Sequence, residues 1–156
     1  MLYIIILLII DQVAKWLVKA SLQPSSIYGV IKHVISFTYV ENRGCAFGMF
    51  NGGTIYLIIF TLLVIAAFLY KYIKDIRHSN SISLKMSFIL LLSGAIGNLI
   101  DRVFRGYVID FINLEFVDFA VFNLADCYIC LGCAFLVIYI LFVMKEDKVT
   151  NKKEKK

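Results

Sequence analysis

Residues 86–102 read Met-Ser-Phe-Ile-Leu-Leu-Leu-Ser-Gly-Ala-Ile-Gly-Asn-Leu-Ile-Asp-Arg, an apolar run that ends in polar side chains. The uncharged residues from Met86 to Ile100 extend about 22 Å as a helix, whereas the hydrocarbon core of a bilayer is about 30 Å thick. A membrane helix here must therefore include Asn98, Asp101 and Arg102. These side chains share one helical face because they lie three or four residues apart, and we expect them to face protein or water.

Small side chains precede this polar end. Ser93, Gly94, Ala95 and Gly97 leave the helix nearly bare, and Gly94 shares the face of Asn98. Small residues permit the close approach of a neighbouring helix in a membrane. We therefore predict a tight polar pocket between this helix and a neighbour.

The composition indicates a membrane protein of one domain. Hydrophobic residues make up 61% of the 156 residues, one residue is proline, and the mean hydropathy is +0.84. Such a chain has too little polar surface to cover a soluble core. Four stretches approach the length of about 20 residues that a spanning helix needs: Met1–Ala20, Thr54–Ile73, Lys85–Arg102 and Asn123–Met144. We predict an α-helical membrane protein with four transmembrane helices, in which residues 1–144 form a single integral membrane domain and residues 145–156 a basic cytoplasmic tail.

Basic residues are concentrated in the tail and in the connection between the second and third helices. Those of the connection are Lys71, Lys74, Arg77 and Lys85. Cytoplasmic loops carry an excess of lysine and arginine, so we predict that both termini are cytoplasmic and that Asp110 and Asp126 lie near the outer leaflet. The basic tail is interpreted as a topology determinant that contacts anionic lipid, in preference to a nucleic-acid site.

The first outer loop, residues 23–53, contains a strand pattern. Residues 34–40 follow a period of two and are rich in β-branched and aromatic residues, which predicts a small extracytoplasmic β-sheet. The two alternating sets are Val34, Ser36, Thr38 and Val40, and Ile35, Phe37 and Tyr39. The second outer segment, residues 106–119, mixes apolar and acidic residues, and we expect it to lie along the membrane interface.

The first helix carries a charged pair. Asp11 and Lys15 lie four residues apart with the acid first, the favourable order for an intrahelical ion pair. This pair favours a structural role that orients the first helix against the polar ends of its neighbours, and contact with the active site is the alternative.

Two aspartates indicate chemistry. Asp110 lies in Val-Ile-Asp-Phe-Ile, and Asp126 ends Phe-Asn-Leu-Ala-Asp at the head of a long apolar run. A charge within a membrane costs about 2.5–3.5 kcal/mol or more, so each needs a reason. Two carboxylates held close cannot both ionise cheaply, so one keeps its proton while the other acts as a base on water. We predict an aspartic protease arrangement that requires no metal or cofactor.

Two further side chains suit this chemistry. Asn123 lies three residues before Asp126, so it is predicted to cap the last helix while orienting the pair. Arg102 offers five donors that could hold backbone carbonyls.

Other catalytic arrangements have less support. A Ser-His-Asp triad is disfavoured because the sequence has no Gly-x-Ser-x-Gly motif and neither histidine has an evident partner. A Ser-Lys pair would rest on the position of Lys19 or Lys32 alone.

The cysteines suggest a metal site that we do not favour. Cys127, Cys130 and Cys133 form a Cys-x-x-Cys-x-x-Cys run, and Cys45 is the other cysteine. A closed zinc or iron-sulfur site usually needs four ligands, and thiols pack well in a buried helix. We predict packing roles, and a disulfide between Cys45 and Cys127 stays open.

Two other protein classes are weighed against a peptidase. A small proton-coupled transporter or channel would use Asp11, Asp101, Asp110 and Asp126 as a proton relay, but the sequence shows no inverted repeat. A structural assembly factor would place polar residues at helix contacts, without two aspartates each in its own local motif.

Four motifs resemble those of the lipoprotein signal peptidase family, also called signal peptidase II. They are Asn-Arg-Gly-Cys-Ala-Phe at residues 42–47, Gly-Ala-Ile-Gly-Asn-Leu-Ile-Asp-Arg at residues 94–102, and the two aspartate motifs at residues 108–112 and 122–126. Their order and spacing match along nearly the whole chain, including Asp11-Gln12 and Lys15. Cys45 departs from the family, which more often has alanine there.

The resemblance implies an aspartyl endopeptidase of the bacterial inner membrane, with four helices and a small outer sheet. Its partners would be membrane lipids and prolipoproteins that carry diacylglycerol on a cysteine, and it would cut just before that cysteine as a monomer. By the same resemblance, Asp110 and Asp126 are the catalytic pair, and Asp11 and Asp101 are supporting residues. The residues that hold the substrate or the pair are Asn42, Asn98, Arg102 and Asn123.

Overall fold

The computed structural model describes residues 2–22, 26–44, 53–74 and 76–143, which are mostly helical. The helices are α1 (Leu2–Ser21), α2 (Thr54–Lys74), α3 (Ile82–Arg105) and α4 (Leu124–Ile138). The strands are β1 (Ile27–Ile31), β2 (Ile35–Asn42) and β3 (Val108–Leu114). A 3-10 turn at Ile76–His78 follows α2, and a π-helical turn at Tyr139–Val143 extends α4. Cys45 and the basic tail lie outside the described residues.

Three of the four described helices are long and apolar enough to cross a membrane. They are α2, α3 and α4 with its π-helical extension, with mean hydropathies of 2.2, 1.6 and 2.2. Helix α1 has 20 residues but carries Asp11, Lys15 and Lys19. No residue of α2 is buried within the protein. Because such a surface would be unstable in water, lipid is its natural surrounding.

Helices α3 and α4 pack closely through glycines. A Cβ atom at Gly94 would overlap the carbonyl oxygen of Ala125 and lie 2.6 Å from Ile129 Cγ1. A Cβ atom at Gly132 would lie 2.7 Å from Leu91 Cγ. The predicted close approach at the small residues of α3 is therefore confirmed, and α4 is the neighbour.

The sheet is antiparallel in the order β1-β2-β3. Strand β2 confirms the strand that the alternating pattern over residues 34–40 predicts. Strand β3 lies in the segment that the sequence predicts only as an interfacial stretch. It pairs Asp110 with Val40 and Val108 with Asn42.

The sequence does not reveal β3 because the start of the strand is buried on both faces. Val108, Ile109, Asp110 and Phe111 are all buried. Ile109 and Phe111 pack with Val18 of α1 in one apolar cluster. A strand buried on both faces lacks the polar and apolar alternation that marks an exposed sheet.

A buried cation joins α1 to α3. Lys15 Nζ lies 2.9 Å from Asp11 Oδ2 and 3.0 Å from Asp101 Oδ2, and all three side chains are inaccessible to solvent. Arg105 forms a further ion pair with Asp101. Two acidic side chains thus face two basic ones, so the formal charges of the cluster cancel. The predicted Asp11–Lys15 pair is confirmed.

Gln12 completes this cluster. Its amide nitrogen donates to Asp101 Oδ1 at 3.2 Å and to the carbonyl oxygen of Gly97 at 3.3 Å. Its amide oxygen accepts from Arg105 Nη1 at 3.2 Å. The side chains of Gln12 and Lys15 on α1 are therefore paired with groups on α3.

Substitution of Gly94 by alanine should destabilise the helix pair. The new methyl group must push against the α4 backbone, which costs about 1–3 kcal/mol by overpacking. Thermal unfolding in detergent would measure this as a lower midpoint. Gly29→Ala is the matched control, since a Cβ atom there meets nothing within 4 Å. Equal midpoints for the two variants would contradict the packing argument.

Substitution of Lys15 by methionine should destabilise the protein more strongly. Removing one partner of a buried ion pair leaves an uncompensated charge and costs about 3–5 kcal/mol. Lys19→Met, one turn later on an exposed side chain, should cost about 1 kcal/mol or less. Adding Asp11→Asn to Lys15→Met should restore part of the loss in the same unfolding assay. A Lys15→Met protein as stable as Lys19→Met would refute the buried-cluster interpretation.

Candidate active site

One cavity of about 480 Å³ holds most of the predicted site residues. Its polar wall is formed by Asn42, Asn98, Arg102, Asp110 and Asp126. The rest of the lining is largely apolar and comes from β3, the segment that follows it, and the first turns of α4. A mostly apolar cleft with a few convergent polar groups is the usual form of a binding site.

Asp110 is supplied by β3 and is only 3% exposed. Asn42 Nδ2 donates to its Oδ2 at 2.9 Å, and Asn123 Nδ2 donates to its Oδ1 at 2.6 Å. Burial raises the pKa of Asp110 to about 6, and the charge of Asp126 acts in the same direction. The hydrogen bonds from Asn42 and Asn123 oppose this shift, since they favour the ionised form. Asp110 therefore gives up its proton less readily than an ordinary carboxyl group.

Asp126 is supplied by the first turn of α4 and is half-buried. Its backbone N–H donates to Asn123 Oδ1 at 3.1 Å, and its Oδ2 accepts from the Asn123 backbone N–H at 3.1 Å. This reciprocal pair is a capping box, so the predicted capping role of Asn123 is confirmed. Asp126 Oδ1 accepts from Asn98 Nδ2 at 2.8 Å, which leaves the carboxylate held on both oxygens.

Asn123 is the common partner of the two aspartates. Its side chain is fully buried, and its Nδ2 donates both to Asp110 Oδ1 and to Asn98 Oδ1, the latter at 3.2 Å. Its oxygen accepts from Asp126, so one amide group contacts the strand aspartate and the helix aspartate together. A single side chain thus links Asp110 directly to Asp126.

The buried cation reaches this site through Asn98. Lys15 Nζ donates to Asn98 Oδ1 at 3.2 Å, beside the donor from Asn123. An amide oxygen that accepts from two donors fixes the amide orientation and turns its NH2 group toward Asp126. Lys15 therefore orients the hydrogen bond to Asp126 without lining the cavity.

Asp11 and Asp101 do not line the cavity, and each holds the residue before one of the two cavity aspartates. Asp11 Oδ1 accepts from the backbone N–H of Ala125 at 3.1 Å, and Asp101 Oδ2 accepts from that of Ile109 at 3.3 Å. Arg102 does line the cavity, and its Nη2 donates to the carbonyl oxygen of Gly44 at 3.2 Å.

The sequence patterns did not lead to a prediction of two contacts in this network. The contact of Lys15 with Asn98 joins positions 83 residues apart, so no local pattern could reveal it. The ion pair of Arg105 with Asp101 has the four-residue spacing of a helical pair, and that spacing was a usable signal.

The cysteines are not packed as a group. Cys127, Cys130 and Cys133 are free thiols, and only Cys127 is even half-buried. The packing prediction is therefore wrong for Cys130 and Cys133, because the face of α4 that carries them is not covered by another element of the described chain. The open question of a disulfide involves Cys45, which is not among the described residues.

Comparison with known proteins identifies relatives along nearly the whole chain. Residues 3–142 match the family described as Signal peptidase (SPase) II. A lipoprotein signal peptidase of Streptococcus thermophilus (strain CNRZ 1066) is 40% identical over 144 residues, covering 92% of this chain and 91% of the relative. Another, of Caldanaerobacter subterraneus subsp. tengcongensis, is 44% identical over 133 residues, 85% of this chain and 89% of the relative.

The fold agrees with this relationship. A solved bacterial membrane enzyme superposes with a TM-score of 0.86 at 32% identity, covering 99% of this chain and 92% of the other. A second structure of a bacterial membrane enzyme gives a TM-score of 0.82 at 32% identity, with coverage of 90% and 91%. The match of sequence, fold and motif order shows that the chain belongs to the signal peptidase II family of lipoprotein signal peptidases.

Proposed function

We propose that this protein is an aspartyl endopeptidase that removes the signal peptide from diacylglyceryl-modified prolipoproteins, cutting before the lipidated cysteine. The observation that carries the proposal is the pair Asp110 and Asp126, which line one cavity and are held by the same Asn123 amide. Its relatives bear the name lipoprotein signal peptidase, which leaves the proton-coupled transporter or channel without support.

Environment separates the roles of the two carboxyl groups. Asp110 is the more deeply buried, and its pKa, raised to about 6, makes it easier to protonate than an ordinary carboxyl group, so we assign it the role of general acid. Asp126 is half-buried, and its carboxylate oxygens accept hydrogen bonds from Asn98 and from the Asn123 backbone, so we assign it the role that receives a proton. The pair thus shares one proton, and Asp126 serves as the general base.

The reaction then proceeds in two steps. The oxygen of a water molecule attacks the scissile carbonyl carbon while Asp126 takes a proton from that water. At the same time Asp110 donates its proton to the carbonyl oxygen. The resulting tetrahedral diol collapses when Asp126 passes its proton to the leaving amide nitrogen and the C–N bond breaks. One hydroxyl of the diol returns its proton to Asp110, which restores the starting state.

The remaining polar residues bind and orient. Asn42 supports Asp110, Asn98 supports Asp126 and Asn123 supports both, so substitution of any of them disturbs the pair. Arg102 has five N–H donors and, within the described residues, uses one on Gly44; the others are suited to carbonyl oxygens of an extended substrate. The apolar wall offers a surface for the lipid chains of the substrate.

The membrane arrangement follows from charge and connectivity. The sheet follows the ends of α1 and α3 and precedes the starts of α2 and α4, so it lies at the end of the helices opposite the basic α2–α3 turn. We place that turn, both termini and the tail (residues 145–156) in the cytoplasm, and the sheet and the site at the outer leaflet. In this arrangement residues 1–144 are one domain, α1 is the fourth transmembrane helix because α3 satisfies its charges, and the enzyme is a monomer among membrane lipids.

Asp110→Asn and Asp126→Asn should each abolish cleavage while the protein stays folded. Loss of a general acid or base lowers the rate by about 10²–10⁴-fold. Cleavage of a diacylglyceryl-modified prolipoprotein by purified enzyme in detergent, without an ion gradient, would measure this. Asp118→Asn is the control, because Asp118 is exposed and does not line the cavity. Substantial activity in either cavity variant would contradict the assignment of Asp110 and Asp126 as the catalytic pair. Cleavage of the unmodified precursor would show that the substrate need not carry the lipid.

The pH dependence should report the proton on Asp110. Because its pKa is raised to about 6, the general acid is lost as the pH rises through 6, and kcat/KM should fall on that limb. Asn42→Ala removes a hydrogen bond that lowers this pKa, so the falling limb should move to higher pH.

Asn113→Ala is the matched control for that experiment. Asn113 is on β3, the strand of Asp110, and its amide donates to Ser36 Oγ at 3.2 Å; neither Asn113 nor Ser36 lines the cavity. The falling limb of kcat/KM against pH in Asn113→Ala should coincide with that of the wild type. A limb in Asn42→Ala that stays in place or moves to lower pH would show that Asp110 does not control it.

A further inference from the structure

Two thiols share the cavity with the proposed catalytic pair. Cys127 directly follows Asp126, and Cys127 and Cys130 both line the cavity wall. Both are free, and Cys130 is exposed while Cys127 is half-buried. A thiol on the wall of a cavity is a nucleophile that can react with a small molecule bound in that cavity.

Helix geometry explains why two of the three cysteines face the cavity. Residues three apart on an α-helix differ by about 60° in direction and rise about 4.5 Å. Cys127 and Cys130 therefore lie on nearly one face, one turn apart. Cys133 is turned by about 120° from Cys127, two steps along, and it is exposed but is not part of the cavity lining.

We propose that Cys130 is a covalent modification site for small apolar soft electrophiles, with the half-buried Cys127 as a second thiol in the same cavity. An adduct there blocks the cavity. The modification follows from the exposed thiol and the cavity alone. The block of cleavage rests on the proposed function, because it requires the peptide to enter this cavity.

The ligand class follows from the chemistry of the wall. The apolar side chains that line the same cavity as the thiols include Leu114, Phe119 and Ile129, which suit an uncharged reagent with a short alkyl group. N-ethylmaleimide is such a reagent. The thiolate sulfur attacks one alkene carbon of the ring and forms a C–S bond, and the alkene π electrons take up a proton at the other carbon. The addition has no leaving group and needs no oxidant or reductant.

The test uses chains that each keep one α4 cysteine. In a Cys45→Ala background, one variant keeps Cys130 (Cys127→Ala, Cys133→Ala) and the other keeps Cys133 (Cys127→Ala, Cys130→Ala). After treatment to full labelling by intact mass, the chain with Cys130 should lose at least tenfold in prolipoprotein cleavage. The chain with Cys133 should retain its activity. Full labelling of Cys130 without inhibition, or equal inhibition of both chains, overturns the proposal.

The wild-type protein supplies a second measurement if the triple variants do not fold. Mass mapping during inactivation gives the rate of modification at each cysteine. Activity loss that follows Cys127 or Cys130 supports the proposal, and loss that follows Cys133 or Cys45 overturns it.

Substrate protection separates this proposal from the proposed function. In an Asp126→Asn chain, lipidated precursor should slow the labelling of Cys130 at least threefold and leave that of Cys133 unchanged. Unprotected Cys130 would show that the peptide does not occupy this wall. If Asp126→Asn instead retains cleavage, the catalytic assignment fails, while the labelling rates still report the modification site.

Discussion

The site depends on the ion pairs of the buried Lys15 ammonium group with two aspartates. The ammonium group lies between Asp11 and Asp101, and the other hydrogen bonds of those carboxylates hold the backbone immediately before Asp126 and Asp110. The same ammonium group fixes the amide of Asn98. One cation thus positions a helix start, a strand and a hydrogen-bond donor, and it does so without touching the cavity.

This arrangement explains how so many polar groups persist in an apolar chain. An unpaired polar group within a membrane costs several kcal/mol, so partial networks are unstable. Within the described residues, every buried side-chain nitrogen and oxygen has a partner. The asparagines suit this purpose because each amide both donates and accepts, and so passes orientation from one group to the next without carrying charge. The charge that remains in the cavity belongs to its aspartates and to Arg102.

Local patterns in the sequence predicted the helices, strand β2, the capping role of Asn123 and the ion pair of Asp11 with Lys15. Each of these depends on residues close together in the chain, where helical or strand periodicity is informative. Strand β3 was missed because it is buried on both faces. The contact of Lys15 with Asn98 was missed because it joins two helices whose packing follows from shape. The proposed catalytic aspartates were found by motif resemblance as well as by the cost of placing charge in a membrane.

The segment between the two aspartates is closed at its base. The backbones of Ile112 and Phe122 exchange hydrogen bonds of 2.8 and 3.1 Å, and Phe111 adds one of 2.9 Å to the same carbonyl. Residues 113–121, of which Asn113 and Leu114 end β3, therefore leave and return through one hydrogen-bonded neck. The part of this segment beyond the strand can therefore change in length without changing the relative placement of Asp110 and Asp126.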